Sequence, residues 1–379
     1  MSAAAGGRQR PRAHPARRAL TMLTAWLVTA CGSATPTPQP IPPSPSASVP
    51  PPVPPSPLRE VATIPRSVAR GDGAAIDDAL AEGDRLYEAG RFGEAAAVFS
   101  GAAEKAPKDA APYVGWARSK LADAEVPEGV NAAPDDATAQ QAADKLLRAT
   151  ALDPDHALGQ LELGRVLLVL GRLDEAVTPL ERATRLFPDD AEAQSALGIA
   201  LLLTGRPNDG ATALRRAAEL EPERADRHSN LATALLQTGA TSEAIVAYSR
   251  AVKLEPNVAS HRSSLGTAFL QQGDFASALP HLERAVELEP ERATFLSNLG
   301  YAQLATNQRD RAIVTFERAL ELDDGLASAW INLGNAHAKG GDYAEARRAY
   351  DRAKKLDPDD PRVEAVLQEL DELEQASKP

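Results

Sequence analysis

The chain has 379 residues, 41 of them basic and 53 acidic, which gives a formal net charge of −12 at pH 7. A negative protein repels the phosphate backbone, so this balance excludes nucleic acid as the expected partner. Apolar residues make up 43% of the chain but aromatic residues only 4%, which favours closely packed helices over a β-sandwich. Cys31 is the only cysteine, so an intrachain disulfide and a thiolate metal site are both excluded.

Residues 1–30 have the pattern of a signal peptide. Five arginines precede an apolar run from Ala19 to Ala30, and a helix of that length covers about 18 Å, too little to cross a hydrocarbon core of about 30 Å. The run ends in Leu27-Val28-Thr29-Ala30-Cys31-Gly32, which resembles a bacterial lipobox. The resemblance implies cleavage before Cys31 and its acylation, and Gly32 in place of Asp implies the periplasmic face of the outer membrane in a cell that has one. The alternative is an ordinary secretory signal with a chance cysteine.

A proline-rich stretch follows the cysteine. Twelve of the 22 residues from Pro36 to Pro57 are proline. Such a composition favours polyproline II at about 3.1 Å per residue, so the stretch would span up to roughly 70 Å. We interpret residues 31–72 as a disordered tether between a lipid anchor and a folded domain at 73–379. The alternative is a ligand for a proline-binding domain.

Small residues recur with a period of 34 in the rest of the chain. A leucine precedes each glycine of the first series, and Ala232 stands at the place where one glycine is missing. The glycines are Gly164, Gly198, Gly266, Gly300 and Gly334, and the alanines of a second series are Ala183, Ala217, Ala251, Ala285, Ala319 and Ala353. Within a period, positions 4, 7, 8 and 11 form one face of a helix, and positions 20, 24 and 27 form one face of a second helix. The period therefore predicts a stack of helical hairpins.

The repeat resembles the tetratricopeptide repeat, which has Leu-Gly at positions 7–8, Ala at 20 and 27, an aromatic residue or Leu at 24, and Pro at 32. Residues 327–360 match this pattern through Leu333, Gly334, Ala346, Tyr350, Ala353 and Pro358. The resemblance implies an all-α, right-handed superhelical solenoid of about eight helical hairpins plus a C-terminal capping helix. We assign the repeats to 76–109, 110–156, 157–190, 191–224, 225–258, 259–292, 293–326 and 327–360, and the cap helix to 361–376.

Two local features refine this register. Glycine near position 15 suits a left-handed residue that ends the first helix, and it occurs at Gly171, Gly205, Gly239, Gly273 and Gly341. The repeat 110–156 is longer than the period, and its excess falls at 122–136. This excess is either an expanded loop between the two helices or part of a degenerate helix pair without a functional loop.

In this family the first helices line a concave groove, with ligand contacts from positions 2, 5, 6, 9 and 12. Position 6 holds Asn230, Asn298 and Asn332, which is similar to the asparagine ladder that holds extended peptide in the repeats of O-linked N-acetylglucosamine transferase. An amide both donates and accepts, so it can satisfy a peptide unit without reading sequence. The alternative is that each asparagine pairs with a neighbouring helix. Position 9 adds the candidates Arg165, Thr233, Thr267, Tyr301 and Asn335.

Position 2 carries no cation from repeat 157–190 onward, which argues against a clamp for a carboxylate and favours an extended, basic partner segment. No phosphate loop, nucleophile elbow or HExxH motif occurs, so the sequence predicts no enzyme, metal or cofactor. We expect a protein-binding scaffold of the bacterial cell envelope that contacts the membrane by a lipid anchor at Cys31. Two alternatives stay open, because one fold hosts many functions: an assembly or pilot factor for a secretin or pilus machine, and a substrate-delivery regulator of an enzyme such as a glycosyltransferase.

Overall fold

The computed structural model describes residues 62–71 and 76–376. The predicted signal peptide, Cys31 and the tether up to residue 61 lie outside these residues. Within them the chain forms seventeen α-helices and no strand. The helices are α1 (Asp77–Glu88), α2 (Phe92–Lys105), α3 (Ala111–Asp123), α4 (Ala137–Leu152), α5 (Ala157–Val169), α6 (Leu173–Leu186), α7 (Ala191–Leu203), α8 (Pro207–Leu220), α9 (Ala225–Gln237), α10 (Thr241–Leu254), α11 (Ala259–Gln272), α12 (Phe275–Leu288), α13 (Ala293–Ala305), α14 (Arg309–Leu322), α15 (Ala327–Lys339), α16 (Tyr343–Leu356) and α17 (Pro361–Ala376).

Consecutive helices pack as hairpins, from α1 with α2 to α15 with α16. The chain divides into unit 1, which ends at Glu221, and unit 2, which begins at Pro222. In unit 1 the first helices α1, α3, α5 and α7 contact one another in succession, and in unit 2 α11, α13 and α15 do the same. Helix α17 packs on α16 and closes unit 2. The prediction of an all-α fold of eight hairpins with a C-terminal capping helix is confirmed.

The two helices of a hairpin approach closely at the small residues of the repeat. A Cβ atom added to Gly300 would lie 2.7 Å from the ring of Phe316, and one added to Gly164 would overlap Leu180 Cγ. Phe316 and Leu180 both stand at position 24 of their repeats and are fully buried. The six alanines of the second series are all 0% exposed. Position 8 is therefore small because the large side chain at position 24 fills the space beside it.

Each first helix from α5 onward ends at a residue with positive φ. The five predicted glycines at position 15 have φ between 72° and 81°. In repeat 293–326 the same place is held by Asn307, with φ 60°, which the sequence analysis did not single out. Asparagine tolerates the left-handed region better than other residues with a Cβ. The turn between the helices is therefore the same in these six repeats.

The excess of repeat 110–156 lies between two complete helices. Residues 124–136 join α3 to α4 without helical structure, and they pack against the end of α5. The backbone N–H of Asn131 donates to the carbonyl of Leu168 at 2.8 Å, and that of Ala133 donates to Val169 at 3.2 Å. These bonds hold the connection against the last turn of α5, where helix carbonyl groups can accept donors from outside the helix.

Residues 62–71, which we assigned to the disordered tether, lie against the helices of unit 1. Ile64 and Val68 are only 1% and 3% exposed, and the backbone N–H of Ile64 donates to a carboxylate oxygen of Asp190 at 3.0 Å. The structure thus differs from the assigned boundary at 72. The physical reason is that the proline-rich composition ends at Pro57, and the aliphatic side chains after it stabilise a packed position by leaving water.

Candidate functional site

The predicted groove residues of unit 2 lie on its first helices. We call this surface the unit 2 face and define it by Asn230 and Thr233 on α9, Thr267 on α11, Asn298 and Tyr301 on α13, and Asn332 and Asn335 on α15. Because these side chains come from positions 6 and 9 of successive repeats, they follow one another from hairpin to hairpin. Helix α13 contacts both α11 and α15. These contacts bring five of the side chains onto one continuous surface, namely Thr267, Asn298, Tyr301, Asn332 and Asn335.

Asn298 joins two neighbouring helices. Its Nδ2 donates to the hydroxyl oxygen of Thr267 at 3.2 Å, and this hydroxyl donates to the carbonyl of Ser263 at 2.9 Å. Asn298 and Thr267 are both half-buried. The pairing with a neighbouring helix that we weighed as an alternative therefore occurs at Asn298, and it orients an amide that still lies partly at the surface.

Two residues of the unit 2 face, Thr233 and Asn335, bond to tyrosine hydroxyls that come from the second helices. The Thr233 hydroxyl lies 2.8 Å from that of Tyr248, and Asn335 Oδ1 accepts from Tyr350 at 2.7 Å. Burial raises the pKa of Tyr248 to about 12, although its bonds with Thr233 and Ser264 lower it. Burial likewise raises the pKa of Tyr350 to about 12. Both hydroxyls are therefore neutral at pH 7 and bond to position 9 from inside the hairpin.

These two bonds were not predicted from the sequence. The signal was present, because position 24 holds tyrosine in repeats 225–258 and 327–360 and phenylalanine or leucine in the other repeats of period 34. A tyrosine at position 24 points its ring across the small residue at position 8, as the contact of Gly334 with the Tyr350 ring indicates. Its hydroxyl then reaches position 9. A polar residue at position 9 is thus expected wherever position 24 is tyrosine.

Accessibility divides the predicted residues into two groups. Asn230 and Thr233 are 3% and 4% exposed, and Asn230 Nδ2 has no hydrogen-bond partner in the described part of the chain. Tyr301 is 37% exposed, and its ring meets Phe275 edge-on with centroids 6.0 Å apart. Asn332 is half-buried. The side chains of the unit 2 face that a ligand can reach therefore lie on α11, α13 and α15.

One buried histidine lies on α11. His261 is 2% exposed, and its Nε2 is 3.5 Å from a carboxylate oxygen of Glu255. Burial lowers the pKa of His261, and the charge of Glu255 opposes this by raising it. The net shift is downward, so His261 is a neutral core residue near pH 7. Across residues 62–71 and 76–376, no three His, Cys, Asp or Glu side chains are grouped as metal ligands would be.

Arg165, the cation predicted for the groove, lies in unit 1 among carboxylates. Its guanidinium is 2.8 Å from Glu192, 3.4 Å from Glu128 and 3.5 Å from Glu162. Burial lowers the pKa of Arg165, but the three carboxylates raise it by more. Glu128 belongs to the 124–136 connection, so this segment also reaches the first helices. Arg165 therefore neutralises acidic neighbours rather than presenting a free positive charge.

Residues 62–71 lie on the first helices of unit 1. We call the repeat residues that bond to this segment the unit 1 site. They are Asp77 and Asp84 on α1, Asp109 before α3, Arg118 on α3, Asp190 before α7 and Glu192 on α7. The Asp84 carboxylate accepts hydrogen bonds from the Ser67 hydroxyl at 2.6 Å and from the N–H groups of Val68 and Ala69 at 2.9 and 3.0 Å. This site was not predicted from the sequence.

The arginines of the segment complete these contacts. Arg66 lies 3.0 Å from both Asp190 and Glu192, and its carbonyl accepts from Arg118 at 2.6 Å. Arg70 pairs with Asp109, and its backbone N–H donates to Asp77 at 2.8 Å. Both charged side chains of the segment are thus matched by carboxylates of the repeats.

Comparison with known proteins identifies the repeat. One family model described as tetratricopeptide repeat matches residues 137–191, 161–209, 195–259 and 264–327, and a second matches 327–360. Together the two models cover more than half of the chain. No curated protein matches the chain in sequence.

Solved structures show similar folds. The APC/C hetero-tetramer Cut9-Hcn1 is 18% identical with a TM-score of 0.54, and the match covers 79% of this chain and 57% of that one. YrrB, described as a TPR protein with an unusual peptide-binding site, is 21% identical with a TM-score of 0.43, covering 50% of this chain and 97% of its own. Pseudomonas aeruginosa pilF is 19% identical with a TM-score of 0.49, covering 57% and 98%. At these identities the match to Cut9-Hcn1 shows a shared fold alone.

Proposed function

Because the chain belongs to the tetratricopeptide-repeat family, we propose that it is a non-enzymatic scaffold that binds extended segments of partner proteins through the unit 2 face. The observation that carries this proposal is the row of accessible amide and hydroxyl side chains on α11, α13 and α15, with the Tyr301 ring among them. The family is generally one of protein-interaction scaffolds, which agrees with this use of the face.

The spacing of the row suits an extended peptide. Packed helices lie about 9 Å apart, and an extended chain advances about 3.3 Å per residue. Equivalent positions on successive first helices therefore meet about every third residue of a bound segment. Asn298 and Asn332 would each satisfy a peptide unit of the ligand, and Tyr301 would bury apolar area against it.

The charge of the chain limits the kind of partner. With a net charge of −12, the protein attracts basic segments and repels acidic ones at long range. Position 2 of the unit 2 repeats holds Asp226, Ser260, Thr294 and Ser328, which offer no cation to a terminal carboxylate. The favoured ligand is therefore an internal, extended segment with positive charge.

The test is affinity capture of envelope proteins by the wild-type chain and by the triple variant Asn298→Ala, Tyr301→Ala, Asn332→Ala. Losing two hydrogen bonds of about 1 kcal/mol each and an aromatic contact of about 1 kcal/mol or more should weaken binding roughly 100-fold. The matched control is Val314→Ala on α14, because Val314 is 64% exposed on a second helix. If every partner survives the triple change, the unit 2 face is not the binding surface.

We place this scaffold in the bacterial cell envelope, held at the outer membrane by a lipid on Cys31. The lipobox resemblance of residues 27–32 and the proline-rich stretch behind it support this location. No helix among residues 62–71 and 76–376 has the length and apolar character needed to cross a bilayer. The pilot-factor and substrate-delivery alternatives would use the same face and differ only in the partner that it holds, so the identity of the captured proteins separates them.

A further inference from the structure

We propose that the unit 1 site is a binding site for non-helical, arginine-bearing peptide segments, and that residues 62–71 occupy it within the chain, so that a partner segment must displace them. The site uses other residues than the unit 2 face, so this inference does not rest on the function proposed above.

The unit 1 site binds the backbone of the segment. Four N–H groups, those of Ile64, Val68, Ala69 and Arg70, donate to carboxylates of the repeats, and the Arg66 carbonyl accepts from Arg118. None of these bonds belongs to a helix or a sheet. Charged groups that bond to the main chain of a non-helical segment provide contacts of the kind by which a protein surface holds a peptide.

The side chains of the segment define a pattern that the site can select. Ile64 and Val68 stand four residues apart and are buried. Two residues after each of them comes an arginine, Arg66 or Arg70, paired with carboxylates. Pro65 restricts Ile64 to extended conformations. The recognised chemistry is therefore aliphatic-x-Arg-x-aliphatic-x-Arg in a non-helical chain.

The segment lies on the first helices of unit 1. Asp84 and Arg118 stand at position 9 of their repeats, the position that also holds Thr267, Tyr301 and Asn335 on the unit 2 face, and Glu192 stands at position 2. Arg118 is also held from within the helices, 3.4 Å from Glu162 and 4.6 Å above the Tyr87 ring. The site therefore has internal contacts that orient it independently of the segment.

Residues 62–71 belong to the same chain as the unit 1 site, so their effective concentration at the site determines how strongly they compete with a partner peptide. Four residues, 72–75, separate the segment from Ile76, and a short connection gives an effective concentration on the order of 1 mM. If the segment itself binds the site with an intrinsic Kd of about 10 µM, its tethering weakens the apparent affinity of a competing free peptide about 100-fold. A partner segment therefore binds strongly only when residues 62–71 leave the site.

The test measures binding of a fluorescent peptide with the sequence of residues 62–71 to the full chain by anisotropy. The wild type should bind weakly, and a variant with Ile64→Asp and Val68→Asp should bind at least tenfold more tightly because its site is empty. Adding Asp84→Ala to that variant should abolish the tighter peptide binding. Adding Glu88→Ala instead should leave the tighter binding unchanged, because the Glu88 carboxylate is exposed one turn further along α1. A peptide with both arginines changed to alanine should bind at least tenfold more weakly.

A second measurement guards against misfolding. In the wild type the amides of Val68 and Ala69 should exchange hydrogen slowly, and Asp84→Ala alone should make them exchange faster while the circular dichroism of the helices stays unchanged. The proposal would be overturned if the wild type and the Ile64→Asp, Val68→Asp variant bound the peptide equally well. It would also be overturned if that variant had the circular dichroism of the wild type but did not bind the peptide. A wild-type dimer in light scattering that Ile64→Asp and Val68→Asp convert to a monomer would assign the segment to a second copy and overturn the proposal too. The capture experiment on the unit 2 face is unaffected by any of these results.

Discussion

The close approach of helices at position 8 leads to a quantitative prediction for Gly300→Leu. A Cβ at this position would already lie 2.7 Å from the Phe316 ring, well inside the normal contact distance of about 3.5–4.0 Å between carbons. Leucine adds three further carbon atoms to the same fully occupied space. Overpacking of this kind costs about 1–3 kcal/mol, and we expect the upper end because Phe316 is completely buried.

Thermal unfolding followed by circular dichroism checks this magnitude. A loss of about 3 kcal/mol corresponds to a fall of roughly 6–12 °C in Tm for a unit of about 150–250 residues. The matched control is Gly101→Leu in α2, where an added Cβ meets no atom within 4 Å. There the better helix propensity of leucine should leave stability unchanged or raise it by about 0.5–1 kcal/mol.

A double variant tests the cause. Phe316→Ala alone should destabilise unit 2 by creating a cavity, but in the Gly300→Leu background the new leucine would fill part of that cavity. The two changes should therefore be less than additive by about 1 kcal/mol or more. If Gly300→Leu melts like the wild type, or if the double variant is simply additive, the close approach of Gly300 and Phe316 is not what limits position 8.

The remaining predictions concern three further positions. Burial lowers the pKa of His261, so below about pH 6.5 the unfolded chain binds a proton that the folded chain resists, and stability falls as the pH falls. His261→Gln should reduce this slope in urea unfolding between pH 7.5 and 5.5, and an unchanged slope would assign it to other groups. Asn307→Val should destabilise unit 2 by about 1–2 kcal/mol, because valine resists the positive φ of this turn, whereas Asn307→Gly should leave its Tm nearly unchanged. Cys31→Ser should move the protein from the membrane to the soluble fraction, and its retention in membranes would refute the lipid anchor.

The hairpins could be predicted from sequence because their contacts are local. Gly300 and Phe316 are sixteen positions apart, and the same pairing recurs in repeat after repeat, so one period of 34 contains the information for all of them. The left-handed glycines were predictable for the same reason, since the turn needs a residue without a Cβ penalty. Asn307 was not predicted as the left-handed residue of its turn, because the prediction considered glycine alone and asparagine also tolerates this backbone conformation.

The details of the candidate sites were less predictable. Thr233 and Asn335 form their hydrogen bonds to the second helix only because position 24 of the same repeats is a tyrosine. Position 24 lies on the second helix, so the pattern of first-helix positions does not reveal these bonds. The bond between Ile64 and Asp190 joins residues 126 positions apart, and no periodic pattern relates them. The end of the proline-rich composition at Pro57 allows the following residues to pack, but only the three-dimensional placement of carboxylates such as Asp84 shows where they do so.

The contact between Ile64 and Asp190 also affects how the array opens. In a linear stack the terminal hairpin has a neighbour on one side only, so it unfolds locally more often than the others. Here the residues that precede α1 are bound beside the start of α7, which closes a loop around the first three hairpins. Local opening of α1 and α2 must then either break contacts three hairpins away or proceed inside a closed loop with less conformational entropy to gain. The N-terminal end of the stack therefore behaves energetically as an interior part of unit 1.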